Sequence, residues 1–403
     1  MSILSGKKIL LGVTAGIAAY KTANLVRLFI KSGAEVQVIM TPASKDFITP
    51  LTLSTLSKNP VHSTFYDKEE ENELWNNHVD LGLWADYMVI APATANTLSK
   101  MTNGTCDNLL LATYLSAKCP VYFAPAMDLD MYKHPSTKQS LTKLQEFGNT
   151  MIPATSGELA SGLVGEGRMA EPEDIVAFIE NDILSQLPLK GKKVMITAGP
   201  TYEAIDPVRF IGNHSSGKMG FAIANAAANL GAEVYLISGP SQQKIAHSLV
   251  KRIDVTSAEE MYEASHAHYP DADIAILSAA VADYRPKNVV NEKIKKKDTS
   301  LEIALEPTKD ILASLGKIKK QQFLVGFALE TNNELEHALG KLERKNLDAI
   351  VLNSLKDKGA GFATDTNKIT FIDKNKAQVS FGLKSKVEVA DDILSEILKR
   401  LDA

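Results

Sequence analysis

Two stretches of this chain begin alike. Gly6-Lys7-Lys8-Ile9-Leu10-Leu11-Gly12-Val13-Thr14-Ala15-Gly16 and, far downstream, Gly191-Lys192-Lys193-Val194-Met195-Ile196-Thr197-Ala198-Gly199 both start basic, run apolar and end at glycine. After the first, Ala19, Leu25, Val26, Phe29 and Ile30 recur at helical spacing, Gly33 stops the helix, and residues 34–39 read as strand. After the second, residues 221–230 read as helix, Gly231 stops it, and residues 233–237 resume as strand. A strand, a crossover helix and a second strand in one sheet make a right-handed parallel unit. Any doubly wound protein contains such units, so the likeness is weak evidence of duplication. It does predict two separate α/β domains.

Further apolar runs follow at 87–91, 121–124, 274–277, 323–326 and 349–352. Continuous runs of this length, alternating with helical segments, predict parallel sheets covered on both faces. Near the end, residues 368–372 and 378–381 flank Asp373-Lys374-Asn375-Lys376 and read as a hairpin, and residues 387–401 close the chain as an amphipathic helix. The 403 residues leave room for two or three cores. Leu187-Pro188-Leu189-Lys190-Gly191 reads as a linker, giving two doubly wound, Rossmann-like α/β domains over 1–189 and 190–403.

A composition of 45% hydrophobic and 23% charged residues excludes disordered, collagenous and membrane classes. Lys and Arg number 44 against 48 Asp and Glu, a net charge of −4, which gives no broad basic field for nucleic acid and favours small-molecule partners. Cys106 and Cys119 cannot brace so long a chain, and their scarcity fits a reducing compartment. Gly12 and Lys21 interrupt the first apolar run, and no cleavable-signal layout precedes it, so the expected location is cytoplasmic.

Ligands of open α/β sheets collect beyond the carboxyl ends of the strands. Four places qualify in the first half. Gly12-Val13-Thr14-Ala15-Gly16 allows close backbone approach to an anion but is not G-x-G-x-x-G, so a mononucleotide phosphate is expected rather than a dinucleotide; a plain strand-to-helix turn is the alternative. Thr41-Pro42-Ala43-Ser44 offers hydroxyls for capping or for phosphate. Ala91-Pro92-Ala93-Thr94-Ala95-Asn96-Thr97 is small and polar, suited to a flat flavin ring or to ordinary capping. Residues 124–132, with Met127 and Asp128, form a loop able to close over a ligand. His78 is a lone histidine, more often structural than catalytic. The glycine-rich run 156–169 is long and flexible enough for a lid.

In the second half, Gly212-Asn213-His214-Ser215-Ser216-Gly217-Lys218-Met219 comes close to a P-loop, but Met219 stands where a hydroxyl would ligand magnesium and the preceding strand ends too early. An anion site at the helix opening remains attractive. Ser278-Ala279-Ala280-Val281-Ala282-Asp283 sets a carboxylate at a strand end, suited to a metal or a ribose and base edge. The run Glu292-Lys293-Ile294-Lys295-Lys296-Lys297 is a solvated face or a source of charge for a triphosphate, and Lys341 and Lys345 share one helical face.

Taken in order, these motifs resemble the family of bacterial bifunctional coenzyme A biosynthesis proteins, in which a phosphopantothenoylcysteine decarboxylase is fused to a phosphopantothenate–cysteine ligase. The likeness spans essentially the whole chain. Gly16-Ile17-Ala18-Ala19-Tyr20-Lys21, His78, residues 92–97 and residues 125–132 look like decarboxylase motifs; Asp206-Pro207-Val208-Arg209, Asn213 to Gly220 and Ala279 to Tyr284 look like the ligase. The resemblance implies FMN held by Gly12, Thr14, Ala15, Thr41, Pro92, Ala93, Thr94, Asn96, Thr97 and Met127. It implies that FMN oxidises the cysteinyl thiol so that the neighbouring carboxylate can leave as CO₂, with His78 as base and residues 125–132 gripping the substrate. It implies that the ligase activates 4′-phosphopantothenate with CTP and Mg²⁺ to an acyl-cytidylate, which the cysteine amine attacks. Ser278, Ala279, Asp283, Lys293, Asp310, Phe327, Lys341 and Lys345 would hold CTP, and Asn213 and Arg209 would serve the acyl intermediate. Decarboxylase trimers with FMN between protomers, and ligase dimers, are implied as well.

Two positions depart from the family pattern: Asp128 where many relatives have Asn, and Ser161 where they have a proton-donating Cys. Serine is a far weaker acid than cysteine, so Cys106, Glu158 or water becomes the expected proton source. An ionised Asp128 would repel a substrate carboxylate unless protonated or paired. A flavin- or nicotinamide-dependent reductase and a non-catalytic flavin-binding regulator are the competing readings.

Overall fold

In the computed structural model, which describes residues 2–66, 75–245, 247–295, 301–330, 332–354 and 364–401, the chain divides into two compact units, Met1–Ile183 and Leu184–Ala403. The first unit is built on strands β1 (Lys8–Val13), β2 (Glu35–Met40), β3 (Val61–His62), β4 (Tyr87–Ala93), β5 (Val121–Pro125) and β6 (Thr150–Met151). They lie in the order β3-β2-β1-β4-β5-β6, all parallel, so the winding reverses between β1 and β4. Alternating residues of β1 serve opposite faces. Ile9, Leu11 and Val13 pack with Leu25, Val26 and Phe29, while Leu10 packs with Leu98, Leu109 and Leu110 on the other side. Gly12 belongs to this packing: a Cβ there would lie 2.5 Å from Leu110 Cδ1.

The glycine-rich run expected to be a flexible lid is instead a two-stranded antiparallel hairpin, β7 (Thr155–Glu158) and β8 (Val164–Arg168). Its tip closes where the Leu159 N–H donates to Leu163 O at 2.8 Å, and Gly162, with φ +82°, supplies the turn.

The second unit repeats the doubly wound plan. Its sheet runs in the order Val250–Asp254, Glu233–Ser238, Lys193–Ala198, Ile274–Leu277, Phe323–Glu330, Ala349–Ser354, Ile369–Asp373, Gln378–Ser380. The first six are parallel and the last two form the antiparallel hairpin expected from the sequence. The helices Lys218–Asn229 and Lys386–Leu401 cover one face through Phe221, Ile223, Val389 and Ile393. Ala258–His268, Ile311–Ile318 and Glu334–Arg344 cover the other through Met261, Leu315 and Leu342. Leu189, in the segment read as a linker, is buried in the first of these two clusters.

Candidate active sites

A cavity of about 990 Å³ opens at the carboxyl ends of β1, β2 and β4. The turns that follow these strands start at Gly16, Thr41 and Thr94, and none of the three caps its helix with a side chain. Thr49, Asn77, Asn108, Asp128 and His134 each cap theirs, Asn108 and Asp128 from the wall of the same cavity. At these three turns helix-opening N–H groups are left for something other than the protein's own side chains. Thr41 adds a second sign of the same kind: its Oγ1 is shielded from solvent and has no hydrogen-bond partner among the described residues. A buried hydroxyl without a partner is costly. A phosphate oxygen would satisfy it, so the residues present fit a flavin mononucleotide.

Of the residues expected to hold the cofactor, Ala15, Thr41, Thr94, Asn96, Thr97 and Met127 line this cavity. Gly12, Thr14, Pro92 and Ala93 do not, because β1 and β4 bury them. Thr14 acts one layer back, its hydroxyl donating to Pro92 O at 2.6 Å and accepting the Thr94 N–H at 3.3 Å. Asp128 and Ser161 both line the cavity, the second on the hairpin tip beside Glu158. Cys106 is exposed and does not line it. His78 starts the helix His78–Trp84, set edge-on to Phe65 with ring centroids 6.2 Å apart, and is not part of the cavity wall of its own chain.

Sequence reasoning missed the cations of this wall. Lys21, 5% exposed, donates to Met169 O and to Glu171 at 2.9 Å each, and Arg168 donates to the same Glu171 oxygen at 2.7 Å. The hydrogen bond from Lys21 is the main reason the Glu171 carboxyl sits below its ordinary range; burial opposes the shift, and the charges of Lys21 and Arg168 add to it. Nothing local signals a contact between residues 21 and 171.

The second unit has a cavity of about 510 Å³ at the carboxyl edge of its own sheet. Asn213, Ser278, Ala279, Asp283, Asp310, Phe327, Lys341 and Lys345 all line it. Thr197 holds the strand-end backbone in place: Ser278 Oγ donates to Thr197 O at 2.7 Å, and the Ala279 N–H donates to Thr197 Oγ1 at 3.3 Å. Asn213 Nδ2 donates to the carbonyl oxygens of Ala280 and Val281, each at 3.1 Å. Gly220 lets the helix Lys218–Asn229 approach the sheet, since a Cβ there would lie 2.5 Å from Ala198 Cβ and 2.7 Å from Ser278 Oγ. Asp310 caps Ile311–Ile318 and pairs with Lys345 at 2.8 Å. Burial would raise its pKa, but the bond from Lys345, the Ala313 N–H and the charges of Lys345 and Lys341 together hold it low.

Arg209 and Lys293 are not brought to this cavity. Arg209 is spent on structure: it pairs with buried Asp206 at 2.8 Å and donates to Ile294 O at 3.0 Å, while Asp206 accepts the Ile294 N–H at 3.1 Å. These bonds anchor the segment that carries exposed Lys293. Lys296 and Lys297 lie outside the described residues. The sequence reading passed over Lys218 and Lys386, which also line the cavity. Lys218 lay in view in the rejected P-loop run, and the signal for Lys386 is a lysine opening a helix, where the macrodipole disfavours it.

Among the described residues no helix is long and apolar enough to cross a membrane. Residues 2–184 match the Flavoprotein family and residues 189–401 the DNA/pantothenate metabolism flavoprotein C-terminal domain. A cysteine/cysteine sulfinic acid decarboxylase from an unknown prokaryotic organism is 56% identical over 356 residues, 87% of this chain and 99% of the relative. The coenzyme A biosynthesis bifunctional protein CoaBC of Bacillus subtilis (strain 168) is 45% identical over 397 residues, 98% of this chain and 97% of the relative. That of Escherichia coli (strain K12) is 43% identical over 403 residues, 99% of this chain and 98% of the relative. The chain is thus a flavoprotein domain joined to a DNA/pantothenate metabolism flavoprotein C-terminal domain, and it belongs to the family of the coenzyme A biosynthesis bifunctional proteins CoaBC.

Proposed function

We propose that the chain catalyses two consecutive steps of coenzyme A biosynthesis in the cytoplasm: ligation of 4′-phosphopantothenate to cysteine in the second unit, then decarboxylation of the product in the first. The observation that carries the reading is chemical. The first unit's cavity has an orphaned hydroxyl among uncapped helix starts, and the second unit's has lysines and aspartates at a sheet's carboxyl edge. FMN suits the former and a nucleoside triphosphate the latter.

In the first cavity, FMN would supply reversible redox chemistry, taking two electrons from the substrate thiol before CO₂ leaves and returning them afterwards. Thr41 would hold its phosphate, and Thr94, Asn96 and Thr97 would meet the edge of its ring. Loss of CO₂ leaves an electron pair that must accept a proton. Glu158 and Ser161 both reach the cavity, and of the two Glu158 carries the carboxyl, a group that serves as general acid. We therefore assign proton return to Glu158. His78 would enter from a neighbouring protomer of a homo-oligomer; Ile17 and Tyr20, about 60% exposed on the cavity wall, are the surface such a neighbour would cover.

In the second cavity, Lys341 and Lys345 would neutralise the triphosphate of CTP as pyrophosphate leaves, with Mg²⁺ met by Asp283, and Lys293, on a segment outside the cavity wall in the free chain, would have to join them when the nucleotide binds. Asn213 would steady the acyl group through the backbone it holds, and Arg209 would act by anchoring the Lys293 segment. Incubation with phosphopantothenate, cysteine, CTP and Mg²⁺, followed by mass analysis, tests both steps. His78→Asn should stop CO₂ release and spare ligation; Lys293→Gln should do the reverse. Loss of both activities in both folded variants would overturn this division.

A second reading of the first cavity concerns its substrate. Asp128 faces it with no lysine, arginine or histidine paired to it among the described residues, its Oδ1 accepting the Leu129 N–H at 2.6 Å. A carboxylate there suits the free ammonium of unacylated cysteine or cysteine sulfinic acid better than an amide. Comparing kcat/KM for those amino acids and for phosphopantothenoylcysteine decides between them.

A further inference from the structure

The second cavity receives lysines from both faces of its sheet. Lys341 and Lys345 come from the end of the helix Glu334–Arg344, which packs on the face carrying Leu324 and Ile350. Lys218 and Lys386 open the helices Lys218–Asn229 and Lys386–Leu401, which pack on the face carrying Val325 and Val351. Neighbouring strand residues point to opposite faces, so the two pairs reach one cavity from opposite sides. The assignment of CTP made above uses only the first pair.

Lys386 is 8% exposed, yet it is a cation in the first turn of a helix. Its Nζ donates to Thr364 O at 2.6 Å. Burial, and then the neighbouring Lys218, push its pKa down. Asp365 closes the group: it pairs with Lys218, and its backbone carbonyl accepts the Lys386 N–H at 2.9 Å, but its carboxylate is 86% exposed. Asn367, 3% exposed, lines the same corner. Two ammonium groups held together at helix starts are unfavourable without an anion. Among the described residues, the carboxylate paired with Lys218, that of Asp365, is the most solvent-exposed member of the group.

Resting on the ligase reading, we propose that Lys218, Lys386 and Asn367 form a second phosphate subsite, distinct from Lys341 and Lys345, and that Asp365 stands in for the phosphate until it binds. The ligand is a terminal phosphate group, either the end of the nucleoside triphosphate or the phosphate monoester of the carboxylic acid.

The test uses the full chain and inorganic pyrophosphate as probe, titrated calorimetrically, together with separate KM values for CTP and 4′-phosphopantothenate. Lys386→Met should weaken pyrophosphate about tenfold or more, as loss of a charge-assisted bond does, and raise one KM by a like factor while leaving the other within about twofold. The KM that moves names the phosphate. Asp365→Asn should tighten pyrophosphate by removing its competitor. Unchanged pyrophosphate affinity in Lys386→Met overturns the subsite, as does an equal rise in both KM values with a lowered Tm, which marks a structural lysine. A wild-type chain that binds pyrophosphate through Lys386 but ligates nothing would keep the subsite and sink the ligase reading.

Discussion

Thr41 shows how a single side chain can report a ligand. Its hydroxyl is shielded and unpartnered, so the empty protein bears a desolvation cost that a phosphate oxygen would remove. Thr41→Val should therefore act with opposite signs on the two states: the apo form melts slightly higher, while flavin binds about tenfold more weakly, measured by fluorescence quenching. Equal flavin affinity would remove Thr41 from the site. Glu158→Gln should slow decarboxylation by roughly 10²-fold, the low end for loss of a general acid, while a matching Ser161→Ala changes little; a larger effect at Ser161 would reverse the assignment. Glu171 gives a pH prediction. Its folded pKa is lowered, so its contribution to stability is present above the unfolded value and is lost as pH falls through the folded one. Below about pH 4.3, Tm of wild type should fall more steeply than that of Glu171→Gln.

At the scale of elements, glycines set where the functional segments sit. Gly167, φ +134°, ends the hairpin where a Cβ would lie 2.4 Å from Met127 O, and its own carbonyl accepts the Met127 N–H at 3.0 Å. Gly167→Ala should cost more than about 1 kcal/mol in urea unfolding and loosen flavin, because it separates the hairpin from the Met127–Asp128 loop. Gly220→Ala should overpack the helix Lys218–Asn229 against Ala198, cost about 1–3 kcal/mol, and lower ligation without touching CO₂ release. The strand-end segments at 94–97 and 278–283 were legible in the sequence because apolar runs fix the strands, and a parallel sheet fixes where their ends face. The hairpin was not: its glycines look like flexibility until the pairing of Ser156 with Glu166 and Gly157 with Gly165 is seen. Lys21 meeting Glu171, and Lys218 meeting Lys386, are tertiary encounters between segments about 150 residues apart or more, and no spacing rule reaches that far.

For the whole molecule, the proposed function implies two cores with two ligand classes. The first unit buries its own clusters on the two faces of its sheet, and the second unit does the same. A ligand that binds only the folded form of one unit stabilises that unit by RT ln(1 + [L]/Kd), about 2.7 kcal/mol at a hundredfold excess over Kd. Calorimetry of the intact chain should accordingly separate them: FMN raises the transition of the unit containing Thr41, CTP with Mg²⁺ raises that of the unit containing Asp310, and the shifts add when both are present. Tryptophan fluorescence identifies the first transition, because both tryptophans, Trp75 and Trp84, lie in the first unit. If CTP moved the tryptophan-reported transition and FMN the silent one, the assignment of nucleotide and flavin to their cavities would be reversed; if either ligand moved both equally, the units would not be energetically separate.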